Sequence, residues 1–213
     1  MTPETQELLK TCITQAPDLN KHDTDELLLL TDNLSGHIPE LVDIYQAVCE
    51  EATLDKAPLG FKQTGDTYQF ADSPIHFNKQ ELIAYLAIII DALDETLPLG
   101  SVVDLKKEYL KDNLPVDEID NVRIVITYRF LHNPKDQFYF PYAGVVYPIG
   151  SLGQDRMLHF TSPFIARVVH KGFSDGQDEA FVSAMKQELL CNRRLHSFSF
   201  ATKDEVEGKR EAT

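Results

Sequence analysis

The most constraining feature of the sequence is an apolar stretch, LIAYLAIIIDAL, that runs from Leu82 to Leu93. Asn78 and Glu81 precede it at the spacing of a helix N-cap and its capping box, which predicts a helix that ends near Glu95. The stretch is interrupted by Asp91 and is shorter than the roughly 20 residues that a membrane span requires. A helix that is apolar around most of its circumference has to be covered on several sides.

Two interpretations of this helix follow from its apolar circumference. It is either the central helix of the fold or, in part, a surface that contacts a partner protein. In the second case the apolar residues lie on or just beneath the contact surface, and the acidic residues around them form a polar rim. The predicted partner-binding residues are Ile83, Leu86, Ile90, Asp91, Leu93, Asp94 and Glu95.

The sequence before this helix has the pattern of further helices. Thr2 and Asp23 are typical N-cap residues, and Pro39 stands at a favoured first position, so three helices are predicted to start there. Aromatic residues around a Thr-Gly-Asp turn predict a short hairpin at 60–71. The first part of the chain, 1–96, is therefore expected to be mostly helical.

From Leu97 onward the pattern becomes that of strands, with many β-branched and aromatic residues between turn signals. The predicted strands are 102–103, 122–130, 138–147 and 164–170. A helix is predicted from Asp175 to about Arg194, with Phe181, Ala184 and Leu189 lying against the sheet. A further short strand is expected near 196–201.

These patterns together predict an α+β fold. An acidic helical N-terminal half is followed by a small, mostly antiparallel sheet with a packed C-terminal helix. The expected divisions are a helical region at 1–96, a sheet-plus-helix domain at 97–200 and a frayed charged tail at 201–213.

Charge is distributed unevenly along the chain. Residues 1–96 carry five lysines against eighteen acidic residues, a net charge of −13, whereas residues 97–213 have a net charge of only −1. An acidic surface of this kind repels nucleic acid and anionic membranes, and it favours a basic or polar protein partner. The alternative is that the acidity only keeps the protein soluble.

The polar side chains do not show the spacing of a catalytic or metal site. The histidines lack i, i+4 pairs, and the Gly150–Gly153 loop lacks the order of a nucleophile elbow or a phosphate loop. Cys12, Cys49 and Cys191 are far apart, so they predict neither a disulfide framework nor a zinc site. The polar N-terminus does not resemble a secretion signal. We therefore expect a cytoplasmic protein without metal or cofactor that is not an enzyme.

Several segments of the second half occur in a characteristic order. They are LPLGSVVDL at 97–105, the strand VRIVITYR that ends at Arg129, YAGVVYPIGSLG at 142–153, the aromatic Phe160, and VVHKGFSDGQDEAF at 168–181. Their order and spacing resemble a domain-of-unknown-function family of short Gram-positive proteins, which are encoded beside LXG polymorphic toxins and type VII secretion genes.

The resemblance covers about residues 97–190, so the role of 1–96 cannot be carried over from it. It implies a cytosolic accessory protein of a type VII secretion system, an adaptor or chaperone that binds an LXG-type toxin before export. An alternative is an immunity protein that binds and neutralises the toxin domain, and an acidic inhibitor would suit a basic nuclease. A small hydrolase or nucleotide-binding enzyme is a third hypothesis.

Overall fold

The computed structural model describes residues 1–52, 57–71, 73–107, 122–151, 157–202 and 205–206. Most of the predicted tail at 201–213, and part of the Gly150–Gly153 loop, lie outside these ranges. The chain divides into two compact units. The first comprises Met1–Asp94 with Lys186–Arg194, and the second comprises Glu95–Met185 with Leu195–Thr213. Within the described ranges, every helix is too short or too polar to cross a membrane.

The first unit is built on four helices, and side-chain caps fix the starts of three of them. Thr2 accepts a hydrogen bond from the Thr5 amide at 3.2 Å, and Asp23 accepts from the amides of Asp25 and Glu26. Such caps satisfy amides that have no partner within the helix. The helices are α1 (Pro3–Gln15), α2 (Thr24–Leu34), α3 (Ile38–Glu50) and α4 (Lys79–Leu93).

A small hairpin lies between α3 and α4. Its strands are β1 (Lys62–Thr64) and β2 (Thr67–Gln69), and Gly65 in the turn has a φ of 58°. Tyr68 also pairs with Phe77, through two backbone hydrogen bonds of 2.8 and 2.9 Å. The hairpin is thereby fixed to the segment that leads into α4.

Helix α4 is the central helix of the first unit. It packs against α1, α3, β2 and the segment Gln187–Asn192. Leu82, Tyr85, Leu86 and Ile89 are each 0% exposed. The Tyr85 hydroxyl lies 2.8 Å from the Thr31 hydroxyl, so this buried polar group is satisfied.

The second unit contains a mostly antiparallel sheet. Its strands are β3 (Val102–Leu105), β4 (Val122–His132), β5 (Phe138–Val146), β6 (Leu158–Phe160), β7 (Ile165–His170) and β8 (His196–Ser197). Their order is β6-β5-β4-β3-β7, and β8 pairs with β5 in parallel. Gly100 and Gly150 both adopt positive φ in turns at strand ends.

One face of this sheet carries the core of the second unit. Ile124 pairs with Val146 and Ile126 with Gly144, so alternate residues of β4 and β5 point to this face. The Tyr142 hydroxyl accepts a hydrogen bond from the Leu97 amide at 2.9 Å. The buried cluster is Leu97, Val103, Leu105, Val122, Ile124, Ile126, Tyr142 and Phe160. The predicted α+β fold, with its antiparallel sheet and C-terminal helix, is confirmed.

The last helix, α5 (Gly176–Lys186), differs from the prediction in how it contacts the sheet. Its apolar residues were expected to cover the sheet, yet Phe181 is 49% exposed and Leu189 is buried in the first unit. The helix instead contacts β4 through Arg129, which pairs with Asp178 and lies over the Phe181 ring. The chain then continues as a π-helical turn, Gln187–Asn192. The apolar helix face that was predicted to cover the sheet therefore ends at Lys186.

The interpretation of the cysteines as unpaired also needs correction. Cys12 of α1 and Cys191 form a disulfide within the first unit, with their Cα atoms 5.2 Å apart. The two residues are 179 positions apart in the sequence, so local spacing gave no sign of the pair. Cys49 is free and exposed.

Candidate protein-binding surface on helix α4

The start of α4 is held by a network of charged and polar side chains. Asn78 accepts a hydrogen bond from the Glu81 amide at 2.9 Å, and the Glu81 carboxylate accepts one from the Asn78 amide, also at 2.9 Å. Lys21 lies 2.6 Å and His22 3.3 Å from the same carboxylate. Burial opposes the charge of Glu81, but the bonds from Lys21, Asn78 and His22 keep its pKa below the usual value.

The end of α4 is capped by a lysine from the C-terminal segment of the same unit. Lys186 Nζ donates to the carbonyl oxygens of Ala92 at 3.0 Å and Asp94 at 2.6 Å. These carbonyls have no partner within the helix, and a cation is favourable at the negative end of the helix dipole. Burial lowers the pKa of Lys186. Both ends of α4 are therefore fixed by side chains outside the helix.

The predicted partner-binding residues differ in burial, and five of the seven lie on α4, whereas Asp94 and Glu95 follow its last residue. Leu86, Ile90 and Asp91 are buried, at 0%, 4% and 6% exposure. The others reach the surface to different degrees. Ile83, Leu93 and Asp94 are half-buried, whereas Glu95 is exposed.

A strip of half-buried apolar residues runs along α4 beside Ile83. Ile83 and Ala87 are four residues apart, as are Ala84 and Ile88, so the pairs lie on one side of the helix. We call Ile83, Ala84, Ala87 and Ile88 the α4 strip. Three of its members were missed from the sequence. The sequence does show their i, i+4 spacing. Because α4 is apolar on most sides, that spacing alone does not show which side of the helix remains uncovered.

The unit that carries this strip is strongly acidic. Residues 1–52 contain only Lys10 and Lys21 as basic side chains, against eleven acidic ones. At the far end of α3, Glu51 forms an ion pair with Lys79 at 2.7 Å, and that hydrogen bond lowers the pKa of Glu51. An apolar strip on an acidic unit is suited to a partner that is itself apolar and basic.

A groove of about 1030 Å³ opens between the end of α3 and the start of α4. Its walls include Val48, Phe61, Tyr68 and Asn78, and the Glu51–Lys79 ion pair lies among its lining residues. Within the described part of the chain, no three histidine, cysteine or acidic side chains are grouped so that they could hold a metal ion. Three polar residues of the groove have structural roles: Glu51 and Lys79 form an ion pair, and Asn78 caps α4.

Comparison with known proteins shows a family similarity in the second half of the chain. No curated protein and no solved structure matches the sequence. Residues 96–181 are similar to the family model described as domain of unknown function (DUF4176), and this match supports the expectation of a domain-of-unknown-function family for the second half of the chain.

Proposed function

We propose that the chain is a cytosolic accessory protein of a type VII secretion system, an adaptor or chaperone that binds an LXG-type toxin before export. The order of the segments between 97 and 190 supports this setting, as does the family match at 96–181. The observation that carries the proposal of protein binding is the half-buried α4 strip within an acidic helical unit.

The physical argument rests on what an export chaperone has to do. It must cover apolar surface of its cargo and keep the complex in solution. The α4 strip offers apolar surface, and the acidic helices around it provide the charge that opposes aggregation. In this proposal Ile83 and Leu93 touch the toxin, whereas Leu86 and Ile90 support them from beneath.

A cytosolic location also assigns a state to the cysteine pair. Disulfides are rare in a reducing cytosol, so Cys12 and Cys191 would remain thiols there. Cys191 Sγ lies 3.6 Å from the carbonyl oxygen of Leu8, to which a thiol could donate. The proposal is therefore compatible with a buried pair that is reduced in the cell.

The second candidate is an immunity protein, and the charge of the first unit favours it. An inhibitor with eleven acidic and two basic residues in its first 52 positions would complement a basic nuclease domain. The two candidates differ in which part of the toxin they contact. An adaptor binds the N-terminal targeting region, and an immunity protein binds the C-terminal toxic domain.

Capture experiments with the toxin divided into these two regions test the proposal. We expect the wild-type chain to retain the N-terminal region and Ile83→Asp to lose most of that retention. Leu29→Asp is the matched control, because Leu29 lies on α2 at 67% exposure and receives the same change. Circular dichroism should show that both variants fold. Retention of the toxic domain alone would favour immunity, and retention of neither region would refute both candidates.

A further inference from the structure

The sheet of the second unit ends in an open edge strand. In the strand order, β7 is terminal and pairs with β3 alone among the described strands. Five of its six residues are exposed, and Val168 and Val169 are 43% and 41% exposed. A terminal strand presents a row of backbone N–H and C=O groups that an extended chain can pair with.

A buried carboxylate organises positive charge beside this edge. Asp104 of β3 is only 3% exposed, yet it accepts hydrogen bonds from two arginines. Arg123 Nε lies 2.8 Å from Asp104 Oδ1, and Arg167 Nη2 lies 2.7 Å from Asp104 Oδ2. Two guanidinium groups share one carboxylate, so the cluster has a net positive charge.

Arg167 is the member of this cluster that belongs to the edge strand β7 itself. Its side chain is 65% exposed although one of its donors is held by Asp104. A guanidinium carries five N–H donors in a rigid fork. The described contacts of Arg167 use one of these donors, so others can bind an incoming carboxylate. The ion pair with Asp104 fixes the orientation of the group before any partner arrives.

Two irregularities limit how much of the edge can be paired. The register of β7 against β3 shifts between Val102 and Val103 and again between Asp104 and Leu105. Bulges of this kind twist an edge and discourage unrestricted sheet growth. The regular part of β7 is centred on Arg167 and Val168, so an added strand would be short.

The charge of the edge selects its occupant. If two copies of β7 paired as antiparallel strands about Arg167, the two exposed guanidinium groups would lie close together, so like charges oppose pairing with a second copy. We propose that β7 is a strand-addition edge that takes a short, extended, acidic segment of a partner protein. Its carboxylate meets Arg167 on one face of the sheet, and its alternating apolar side chains meet Val168 on the opposite face. Main-chain pairing provides affinity, and the carboxylate provides specificity.

A labelled heptapeptide of alternating glutamate and valine tests this proposal. Fluorescence anisotropy should show binding to the full chain, and hydrogen exchange followed by NMR should show slower exchange of the β7 amides. A peptide of alternating lysine and valine should leave the exchange of the β7 amides unchanged, because its charge is opposite to the one that Arg167 requires. Replacement of the middle valine by proline should weaken binding, because proline cannot donate to the ladder.

Variants of the chain identify the site. Arg167→Glu should weaken peptide binding by roughly tenfold or more, as expected for loss of one charge-assisted hydrogen bond with added repulsion. Lys135→Glu, a reversal of charge at an exposed turn residue between β4 and β5, should leave binding unchanged. Arg167→Gln serves if the reversed charge prevents folding. Ile83→Asp should bind the peptide normally, which separates this site from the proposed toxin surface.

Three outcomes would overturn the proposal. They are absence of binding by the glutamate–valine peptide, binding that leaves the exchange of the β7 amides unchanged, and equal losses in Arg167→Glu and Lys135→Glu. Sedimentation that shows dimers held through β7 would assign the edge to a second copy of the chain instead.

Discussion

Arg129 of β4 and Asp178 of α5 form a two-point ion pair, with Nη2–Oδ1 at 2.5 Å and Nη1–Oδ2 at 3.4 Å. The Arg129 side chain is 4% exposed, and its Nε has no hydrogen-bond partner among the described atoms. Phe181 provides an aromatic face with its ring centre 5.4 Å from the guanidinium carbon. This pair links the last helix to β4, beside the edge contact between the rings of Phe130 and Phe181.

Asp178→Ala should therefore destabilise the second unit by about 3 kcal/mol, because it leaves a buried guanidinium without its anion. Urea unfolding of the wild type, the single variant and Asp178→Ala/Arg129→Met measures this. We expect the double variant to recover part of the loss, since it removes the unpaired charge. Equal stability of wild type and Asp178→Ala would contradict the role of the pair.

The disulfide between Cys12 and Cys191 makes the stability of the first unit depend on redox conditions. The cross-link closes a loop between residues 179 positions apart, and its loss should cost about 3 kcal/mol. Urea unfolding followed by circular dichroism should show a lower midpoint for Cys12→Ser without reductant. Cys49→Ser, at the free cysteine, is the control. If added reductant leaves the wild-type midpoint unchanged, the cross-link does not contribute.

Asp104 should give the second unit a characteristic pH dependence. The hydrogen bond from Arg123 outweighs burial and, with that from Arg167, lowers the pKa of Asp104. A carboxyl group with a lowered folded pKa contributes stability above its unfolded pKa, about 3.9, and loses it as the pH falls through the folded value.

Asp104→Asn should accordingly be less stable than wild type by about 2 kcal/mol at neutral pH. The difference should shrink as the pH falls below about 4, where the wild-type carboxylate becomes protonated. Asp43→Asn, at an exposed position on α3, should have little effect at any pH. A constant difference between wild type and Asp104→Asn across this range would exclude the ion-pair explanation.

Gly172 is required by a close approach of two backbone segments. A Cβ atom there would lie 2.1 Å from the Leu99 carbonyl oxygen and 2.9 Å from the Ser101 amide nitrogen. Gly172→Ala should cost about 2 kcal/mol in thermal or urea unfolding, because the backbone has to shift. Gly176→Ala is the matched control, since nothing lies within 4 Å of a Cβ at that position. Equal effects of the two substitutions would refute the steric argument.

Local chemistry predicted the fold class well. The caps at Thr2, Asp23 and Asn78 are present, and the apolar stretch in α4 is the central helix. Capping residues and hydrophobic periodicity act over a few positions, so a single sequence contains their full signal.

Features that depend on distant residues were not predicted. The Cys12–Cys191 pair, the Arg129–Asp178 pair and the cover of α4 all join positions far apart in the chain. For the same reason the sequence placed Leu86, Ile83 and Ile90 on one candidate surface, although their depths differ. The elements that pack against an apolar helix decide which of its sides remains uncovered. Local sequence patterns do not identify those elements.

Calorimetric titration of the chain with the two separate regions of an LXG-type toxin tests the central claim most directly. We predict binding to the N-terminal region, with affinity lowered at least about tenfold by Ile83→Asp and unchanged by Leu29→Asp. Binding to the C-terminal toxic domain alone, or equal affinity of Ile83→Asp and wild type, would contradict the adaptor role of the α4 strip.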